Sequence, residues 1–572
     1  MKFTWTVAAA RPEPCRQLAG ALHISPLLAQ CLLNRGLGEP EVASRFLQPR
    51  LKHLADPFLI PNMAAAVQRL LAARQHNELL VIFGDYDVDG VTSTALLTET
   101  LGALGWRVEH FLPHRLEEGY GLSREGVERC LQQYPAQLLL AVDCGSTSVE
   151  VTAWLREKGI QVVVLDHHQV SEPAPAAVAL VNPQLGGAFR ELCSAGLAFK
   201  LVHALLKRMR DQGLAEAGAV DLRGQLDLAA LGAIADLVPL TGENRILVTA
   251  GLERLNATPR PGLAALKTVA STPGAAGSYE VAFQLAPRLN AAGRMEDAQD
   301  ALRLLLTRDT DEAGTIARRL DERNRRRQDI ERAICDDVTA LLRPRFDAAK
   351  DFVIVEGRAE WHIGVVGIVA SRVLQEFYRP AIILGGDGAC WRGSGRSIEG
   401  FDLAAALRGC ADLLLRHGGH AMAAGLSMDP AHVGPLRQRL NDMARAALSK
   451  EQLRPCLKLD AEVAPSELTL EQVEELARLN PSGQGNPIVQ LASRGLSHAR
   501  PPLRMGRENQ HVKFHVTTGG PTLEAVWWNC RNAPLPDGRF DLAFTPAVNE
   551  YNGRRSVQLK VLDWQPFNDS SV

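Results

Sequence analysis

A chain of 572 residues is longer than one hydrophobic core supports, and 46% hydrophobic with 22% charged content is that of folded domains, not of long disorder. A formal net charge of -2 excludes binding of polyanions through bulk charge, so any nucleic-acid contact must come from local basic patches. The ten cysteines form no C-x-x-C pair and no Cys/His group at zinc spacing, which argues for reduced thiols and against structural zinc.

The start MKFTWTVAAARPEP lacks the apolar core of a secretory signal, and no apolar run approaches the roughly 18 to 20 residues that span a bilayer. The expected location is therefore the cytoplasm, with no membrane partner. From residue 79 to 170, short apolar runs alternate with helical segments. Residues 79–83, 107–112, 138–142 and 162–165 have strand length without helical periodicity. Between them, Ala95, Leu96, Leu97, Leu101 and Leu104 share one face of a helix over 92–104, and Ser123 caps a helix running to Gln133. This alternation predicts right-handed βαβ units and a buried parallel sheet.

Helical patterning then dominates from Ser194 to about Asn256. A long helix is expected over 309–342, and its middle, 321–328, is almost wholly polar, which predicts a linker crossing solvent between domains. The arginines within it, Arg323 and Arg325 to Arg327, read equally well as a DNA contact or as a solvated face. A second α/β unit follows, with strands at 352–355 and 381–384 around a helix over 364–377. After it come Gly393, Gly395, Gly400, Gly418, Gly419 and Gly425, read as close approaches of backbone to a ligand or as turns.

Beyond Cys456 the pattern becomes β. Val512, Phe514 and Val516 alternate with polar residues, as do Val557, Leu559 and Val561, and Asn552-Gly553 signals a hairpin. A small barrel or open sheet is expected there, separable from the chemistry. Of the consecutive Trp527 and Trp528, at most one should face outward to stack on a base.

The acidic residues are the most informative feature. GDYDVDG places Asp85, Asp87 and Asp89 just past the first predicted strand, Asp143 follows the third, and Asp166-His167-His168 follows the fourth. Ligand sites in open parallel sheets form at the C-terminal strand ends, so these groups should converge on one crevice. Converging carboxylates repel and are costly to desolvate unless a cation neutralises them. Oxygen-rich ligation with an imidazole suits Mg²⁺ or Mn²⁺. An EF-hand is excluded, because twelfth in a loop counted from Asp85 stands Leu96 where that loop needs glutamate.

The triplet Asp166-His167-His168 resembles the DHH phosphoesterase superfamily. GDYDVDGVTSTALL, FLPHRLEEGYGL, AIADLVPL, PRLNAAGR, WHIGVVGIVASRV, GSGRS and GGHAMAAG, in this order and spacing, resemble its RecJ branch over roughly residues 40 to 565. The resemblance implies an N-terminal helical extension (1–60), a DHH domain with a parallel sheet (61–308), a connecting helix (309–345), an α/β DHH-associated domain (346–455) and an oligonucleotide-binding barrel (456–572). It implies Asp87, Asp89, Asp143, His167 and Asp236 as ligands of two Mg²⁺ or Mn²⁺ ions, with Asp143 bridging, and Asp85 and His168 as groups that orient ligands and water. On the residues alone, Asp236 reads only as a helix cap. Arg115, Arg288, Asn290, Arg294, Ser394, Arg396 and His420 are the expected phosphate contacts.

Small phosphatases of the superfamily place a histidine where this chain has Phe83, which leaves one ion with fewer protein ligands. The implied activity is two-metal-ion hydrolysis of single-stranded DNA, 5′ to 3′, releasing mononucleotides in repair and recombination. The implied state is a monomer whose partners are single-stranded DNA-binding protein and a RecQ-type helicase. Against this stand a small-substrate DHH phosphoesterase, disfavoured by the length and the terminal β region, and a non-catalytic replication scaffold, disfavoured by the intact acidic and histidine positions.

Overall fold

The structure is a computed structural model and describes residues 3–568 apart from 115–120, 188, 273, 387, 389 and 532. At its centre five parallel strands stand in the order β3-β2-β4-β5-β6, with β2 at Leu80–Phe83, β3 at Val108–Phe111, β4 at Leu138–Val142, β5 at Gln161–Leu165 and β6 at Ala179–Val181. Alternation decides which face each side chain joins. Leu80, Ile82, Leu138 and Leu140 enter the core under one helical layer, and Val81, Phe83, Leu139 and Ala141 enter the core on the other face. The chain runs from β2 outward to β3, then crosses back to place β4 on the other side of β2. The ends of β2 and β4 therefore flank the point where strand order reverses, the place where a crevice opens in such sheets. Phe83 is fully buried, with its ring stacked on Phe111 at 5.4 Å.

The long connecting helix, Thr310–Leu342, is capped by Asp309, whose side chain accepts from the N–H groups of Asp311 and Glu312. Its polar middle faces solvent on one side only: Glu322, Arg325, Arg326 and Gln328 are exposed, while Asp321, Asn324, Arg327 and, just beyond, Glu331 are buried. Each charge is matched in place, Asp321 by Arg288 and Arg325, and Glu331 by Arg327 and Arg372. Paired charges can be buried where lone ones cannot. Arg323 is likewise held by Glu296 and Asp300, so most of the arginine run is engaged within the protein, while Arg326 is exposed.

The second sheet has the order β10-β11-β9-β8-β7, with β7 at Ile354–Gly357, β8 at Ala381–Gly385, β9 at Trp391–Arg396, β10 at Arg416–His420 and β11 at Ala423–Met428. Gly393, Gly395, Gly418, Gly419 and Gly425 thus lie in strands, not in turns. At two of them the reason is packing: a Cβ on Gly393 would stand 2.7 Å from Leu384, and one on Gly395 2.5 Å from Leu403.

The C-terminal sheet closes on itself because β14 (Leu491–Met505) pairs with both β15 (His511–Thr517) and β17 (Phe540–Tyr551), while β16 (Leu523–Trp527) lies parallel to β18 (Arg554–Pro566). Asn552 and Gly553, both at positive φ, make the β17–β18 hairpin turn. Trp527 packs against the barrel core and Trp528 is half exposed.

The barrel is not separable in the way its sequence implied. Leu28, Leu32 and Phe46 of the N-terminal helices share one core with Leu491, Phe514 and Leu559. The N-terminal strand β1, Thr4–Val7, pairs in parallel with β12, Cys456–Leu459. The two ends of the chain form one packed unit, so removing 456–565 would strip the N-terminal helices of the surface they bury.

Candidate metal centre

Asp87 ends the loop after β2 and caps the helix Val88–Ala103, its Oδ1 accepting from the N–H groups of Asp89 and Gly90. The loop folds back so tightly that a Cβ on Gly90 would lie 2.6 Å from the Asp85 carbonyl oxygen. Asp89, in the first turn of that helix, is buried and reaches the start of the helix Ser194–Asp211. There Oδ2 accepts from Ser194 N at 2.7 Å and Oδ1 from Ala195 N at 2.9 Å. Asp143 follows β4 in the left-handed region, at φ 63°, and its Oδ1 accepts from the Ser194 hydroxyl at 2.9 Å. A non-glycine residue held there marks a place where surrounding structure over-determines the backbone.

The positive end of that helix thus holds two of the carboxylates. Ser194 is a participant that the sequence reading missed; a helix opening on Ser-Ala-Gly was its only signal. A Cβ on Gly232 of the helix Leu226–Ala235 would come within 2.7 Å of Asp89 Oδ1, so glycine is what lets that helix lie against the site. The same helix ends at Asp236, which sequence patterning alone read as a cap and which the fold carries into the cluster.

His167 completes the arrangement. Its Nε2 is buried without a hydrogen-bond partner and faces Asp143 at 3.4 Å, Asp236 at 3.6 Å and Asp89 at 3.9 Å. Desolvation lowers the His167 pKa, which leaves the ring neutral with a lone pair to give. Desolvation raises the Asp89, Asp143 and Asp236 carboxyls, and nearby carboxylates add to the rise of Asp143 and Asp236, which brings Asp236 to about 8. Such a set cannot all ionise without a cation between its members.

Among the described residues, three groupings have donor atoms within 4.8 Å of one another: Asp89, His167 and Asp236; Asp85, Asp87 and Asp143; and Asp143, Asp166, His167 and His168. The first two together offer two adjacent cation positions flanked by Asp143. Oxygen donors with one imidazole, and an unbonded Nε2 aimed among them, fit Mg²⁺ or Mn²⁺.

Asp166 plays a different part. Its oxygens accept from Ser146 N, from His167 N and His168 N, and stand 2.7 Å from His168 Nδ1. Against the desolvation of burial, those bonds and the histidine charge hold its carboxyl below the usual range. His168 in turn is raised to about 9: burial favours the neutral ring, and Asp166 outweighs it. The unforeseen fifth strand β6 adds Asn182, fully buried, which donates to the His168 carbonyl at 2.8 Å and fixes the histidine backbone. Asp166→Asn should therefore lower metal affinity or turnover by about 10 to 100-fold with little change in melting temperature, checked by metal titration alongside kinetics. Wild-type values for both would show that Asp166 does not position the site.

The expected phosphate contacts divide. Arg294 donates to the Gly364 carbonyl at 3.4 Å, and Ser394 and Arg396, bonded to each other at 2.9 Å, pack beside Gly367. These three meet at the start of the helix Val366–Phe377. Gly293 lies against the Tyr86 backbone, so this basic corner adjoins the carboxylate loop. His420 is exposed with Arg416 and Arg392 on a cleft of about 1320 Å³ whose opposite wall carries Asp166 and His168. Ser394 and Arg396 do not line that cleft among the described residues.

Asn290 Oδ1 accepts from Val88 N, bracing the metal loop. Arg288 pairs with Asp321 and so ties the connecting helix down. Arg115 lies outside the described residues.

Residues 79–232 match the DHH family, N-terminal domain, 350–446 the DHHA1 domain and 459–563 the RecJ OB domain. The chain is 38% identical to the single-stranded-DNA-specific exonuclease RecJ of Dickeya dadantii (strain 3937), over 97% of this chain and 98% of that one. The chain belongs to the RecJ family. RecJ of Thermus thermophilus, solved in complex with Mn²⁺, superposes with a TM-score of 0.85 at 32% identity, over 99% of this chain and 80% of that one. Its Mg²⁺ complex gives 0.79 at 31% identity, covering 99% and 79%. The RecJ architecture thus accounts for the parallel sheet, the associated domain and the barrel, and among the described residues no helix is long and apolar enough to cross a membrane.

Proposed function

We infer that this chain is a metal-dependent exonuclease of single-stranded DNA that hydrolyses phosphodiester bonds. The observation that carries the reading is the buried carboxylate cluster around the unbonded His167 Nε2, set against a basic wall across a cleft. Membership of the RecJ family supplies the substrate.

Asp87, Asp89, Asp143, His167 and Asp236 are proposed as the ligands of two Mg²⁺ or Mn²⁺ ions, with Asp143 shared between them. Bound there, divalent cations neutralise phosphate charge and make water a competent nucleophile near neutral pH. His168, its ring fixed by Asp166, lines the cleft and presents a proton to the reacting phosphate. Asp85, buried beside Asp87 and Asp143, orients the ligand set.

Arg294, Ser394 and Arg396 are proposed to hold a terminal phosphate, because two guanidinium groups and a hydroxyl at a helix start suit that dianion. Held there, a 5′ end would reach the carboxylate loop through the close packing of Gly293 on Tyr86. His420 would contact a phosphate along the cleft. Polarity from 5′ to 3′, mononucleotide products and a role in repair and recombination follow from family membership. A cytoplasmic, monomeric state and partnership with single-stranded DNA-binding protein and a RecQ-type helicase are proposed alongside them.

The test is hydrolysis by the purified chain of 5′-labelled single strands, duplex and dinucleotide, with and without chelator. Single strands should be degraded to mononucleotides, chelator should abolish turnover, and Mg²⁺ or Mn²⁺ should restore it. Equal rates on dinucleotide and long strands, or turnover in chelator, would refute the reading.

A further inference from the structure

A cavity of about 490 Å³ lies at the end of the associated domain remote from the metal centre. Its walls come from Phe346, just past the connecting helix, from the last turn of the helix Val366–Phe377, and from 450–455, where the chain leaves for the barrel. The 12 residues of that helix rise about 18 Å. The cavity is therefore about one helix length from the corner of Arg294, Ser394 and Arg396 at the helix start, and is a separate place.

Its lining differs from that of a packing void. Tyr378 ends the helix in the left-handed region, at φ 50°, where helices ordinarily use glycine or asparagine. Its half-buried ring lines the cavity beside Phe346 and Phe377, whose rings meet edge to face at 4.9 Å. A bulky residue held in that conformation points to a use for its side chain.

The charges on the lining are unbalanced. Arg379 is 5% exposed and donates through Nε to the Asp351 carbonyl and through its terminal nitrogens to those of Ala348, Tyr378 and Leu453. Those bonds fix the guanidinium on the cavity wall and use four of its five N–H groups. Lys450 and Arg454 stand exposed on the rim and form no ion pair among the described residues. Glu376, the acid on the lining, is drawn toward the connecting helix, where it accepts from the Thr339 hydroxyl at 3.3 Å. Three cations against one carboxylate leave an excess of two positive charges, which matches a phosphate monoester better than a single carboxylate.

We propose that this cavity binds a nucleoside monophosphate, with the phosphate among Arg379, Lys450 and Arg454 and the base against Tyr378 and the Phe346–Phe377 pair. Such a molecule is what the exonuclease reading above releases, and the proposal rests on that reading for the source of the ligand alone. A bound nucleotide would brace the end of the helix Val366–Phe377 against the connection into the barrel, two parts that Arg379 already joins through the Tyr378 and Leu453 carbonyls.

The experiment is calorimetric titration of dAMP into the full chain, with chelator present and in an Arg396→Ala background. Neither the metal centre nor the terminal-phosphate corner can then account for the heat. One dAMP should bind per chain, and deoxyadenosine and inorganic phosphate should each bind at least about tenfold more weakly, as loss of a charge-assisted contact or of a stack implies. The Lys450→Ala/Arg454→Ala pair, exposed and outside the core, should weaken dAMP binding by a similar factor. Tyr378→Leu, which keeps apolar bulk, should weaken dAMP but leave phosphate binding unchanged. Hydrogen exchange at 450–455 should slow when dAMP is added.

Absence of binding under these conditions, or binding that the Lys450/Arg454 pair leaves intact, would overturn the proposal. So would equal affinity for dAMP and inorganic phosphate, which would make the cavity an anion site without a base subsite. Strand cleavage is not the readout, so failure of the wild-type chain to degrade single strands would refute the exonuclease reading separately.

Discussion

Asp143→Asn is expected to lower turnover at least about a hundredfold, equivalent to about 2.7 kcal/mol of transition-state stabilisation, while the protein folds normally. Asparagine keeps the size of the side chain and can still accept from the Ser194 hydroxyl, so what is lost is one negative charge among Asp85, Asp87, Asp89 and Asp166. That charge is a burden in metal-free protein and an asset with cations present. The metal-free variant should therefore melt at or above the wild-type temperature. A cation at about 100 times its dissociation constant stabilises by about 2.7 kcal/mol, and the variant should lose most of that shift. Differential scanning calorimetry with and without Mn²⁺, run beside kinetics, reads both effects. Turnover above about a hundredth of wild type with the metal shift intact would remove Asp143 from the proposed bridging position.

Arg245→Ala should be the most destabilising single change outside the site. Arg245, on the helix Gly242–Asn256, is 1% exposed and donates to the carbonyls of Phe46, Arg478, Leu479, Asn480 and Pro481, with its guanidinium 3.8 Å from the centre of the Phe46 ring. Desolvation brings its pKa down to about 10, so it remains charged at neutral pH. One side chain thereby joins the sheet domain, the N-terminal helices and the connection into the barrel.

Asn486 would still reach the carbonyls of Leu479 and Pro481, so the loss falls mainly on Phe46, Arg478 and Asn480. Buried acceptors left bare cost roughly 1 to 3 kcal/mol each, and a total of about 3 to 5 kcal/mol is expected in urea denaturation. Proteolysis should open near 478–482 before the parallel sheet is attacked. Arg245→Lys should recover little, because one ammonium cannot span a fork of five acceptors. A change below about 1 kcal/mol for the alanine variant would place it among ordinary substitutions, and Arg245 would not be the joint described.

The elements near the site were legible because their signals are local. The run of residues 138–142 is a strand of those bounds in the structure, the capping of 124–133 by Ser123 holds, and the alternation of 511–517 buries every second residue. Where reading failed, the cause lay in partners distant along the chain. Polarity over 321–328 looked like exposure because the matching charges, Arg288 and Arg372, come from other elements. Gly395 read as a turn or a close approach to a ligand because only the neighbouring Leu403 reveals it as a packing position, whereas Gly393, packed on Leu384, also lines the cleft. The short strand β6 was too brief for periodicity to register, and with it Asn182 was missed.

By itself the sequence determined the βαβ alternation, the carboxylates at the strand ends, the alternating terminal barrel and, through its motifs, the family. Each of these depends on the order of residues within a few turns or strands, which periodicity and spacing carry directly. Tertiary structure alone decided that the helix starting at Ser194 holds two carboxylates and that the N-terminal helices complete the core of the barrel, and it brought Asp236, named until then only by the resemblance, beside Asp89 and His167. Those outcomes depend on side chains brought together from positions up to several hundred residues apart. Burial and hydrogen-bond satisfaction choose such partners among many possible ones, and no local pattern records the choice.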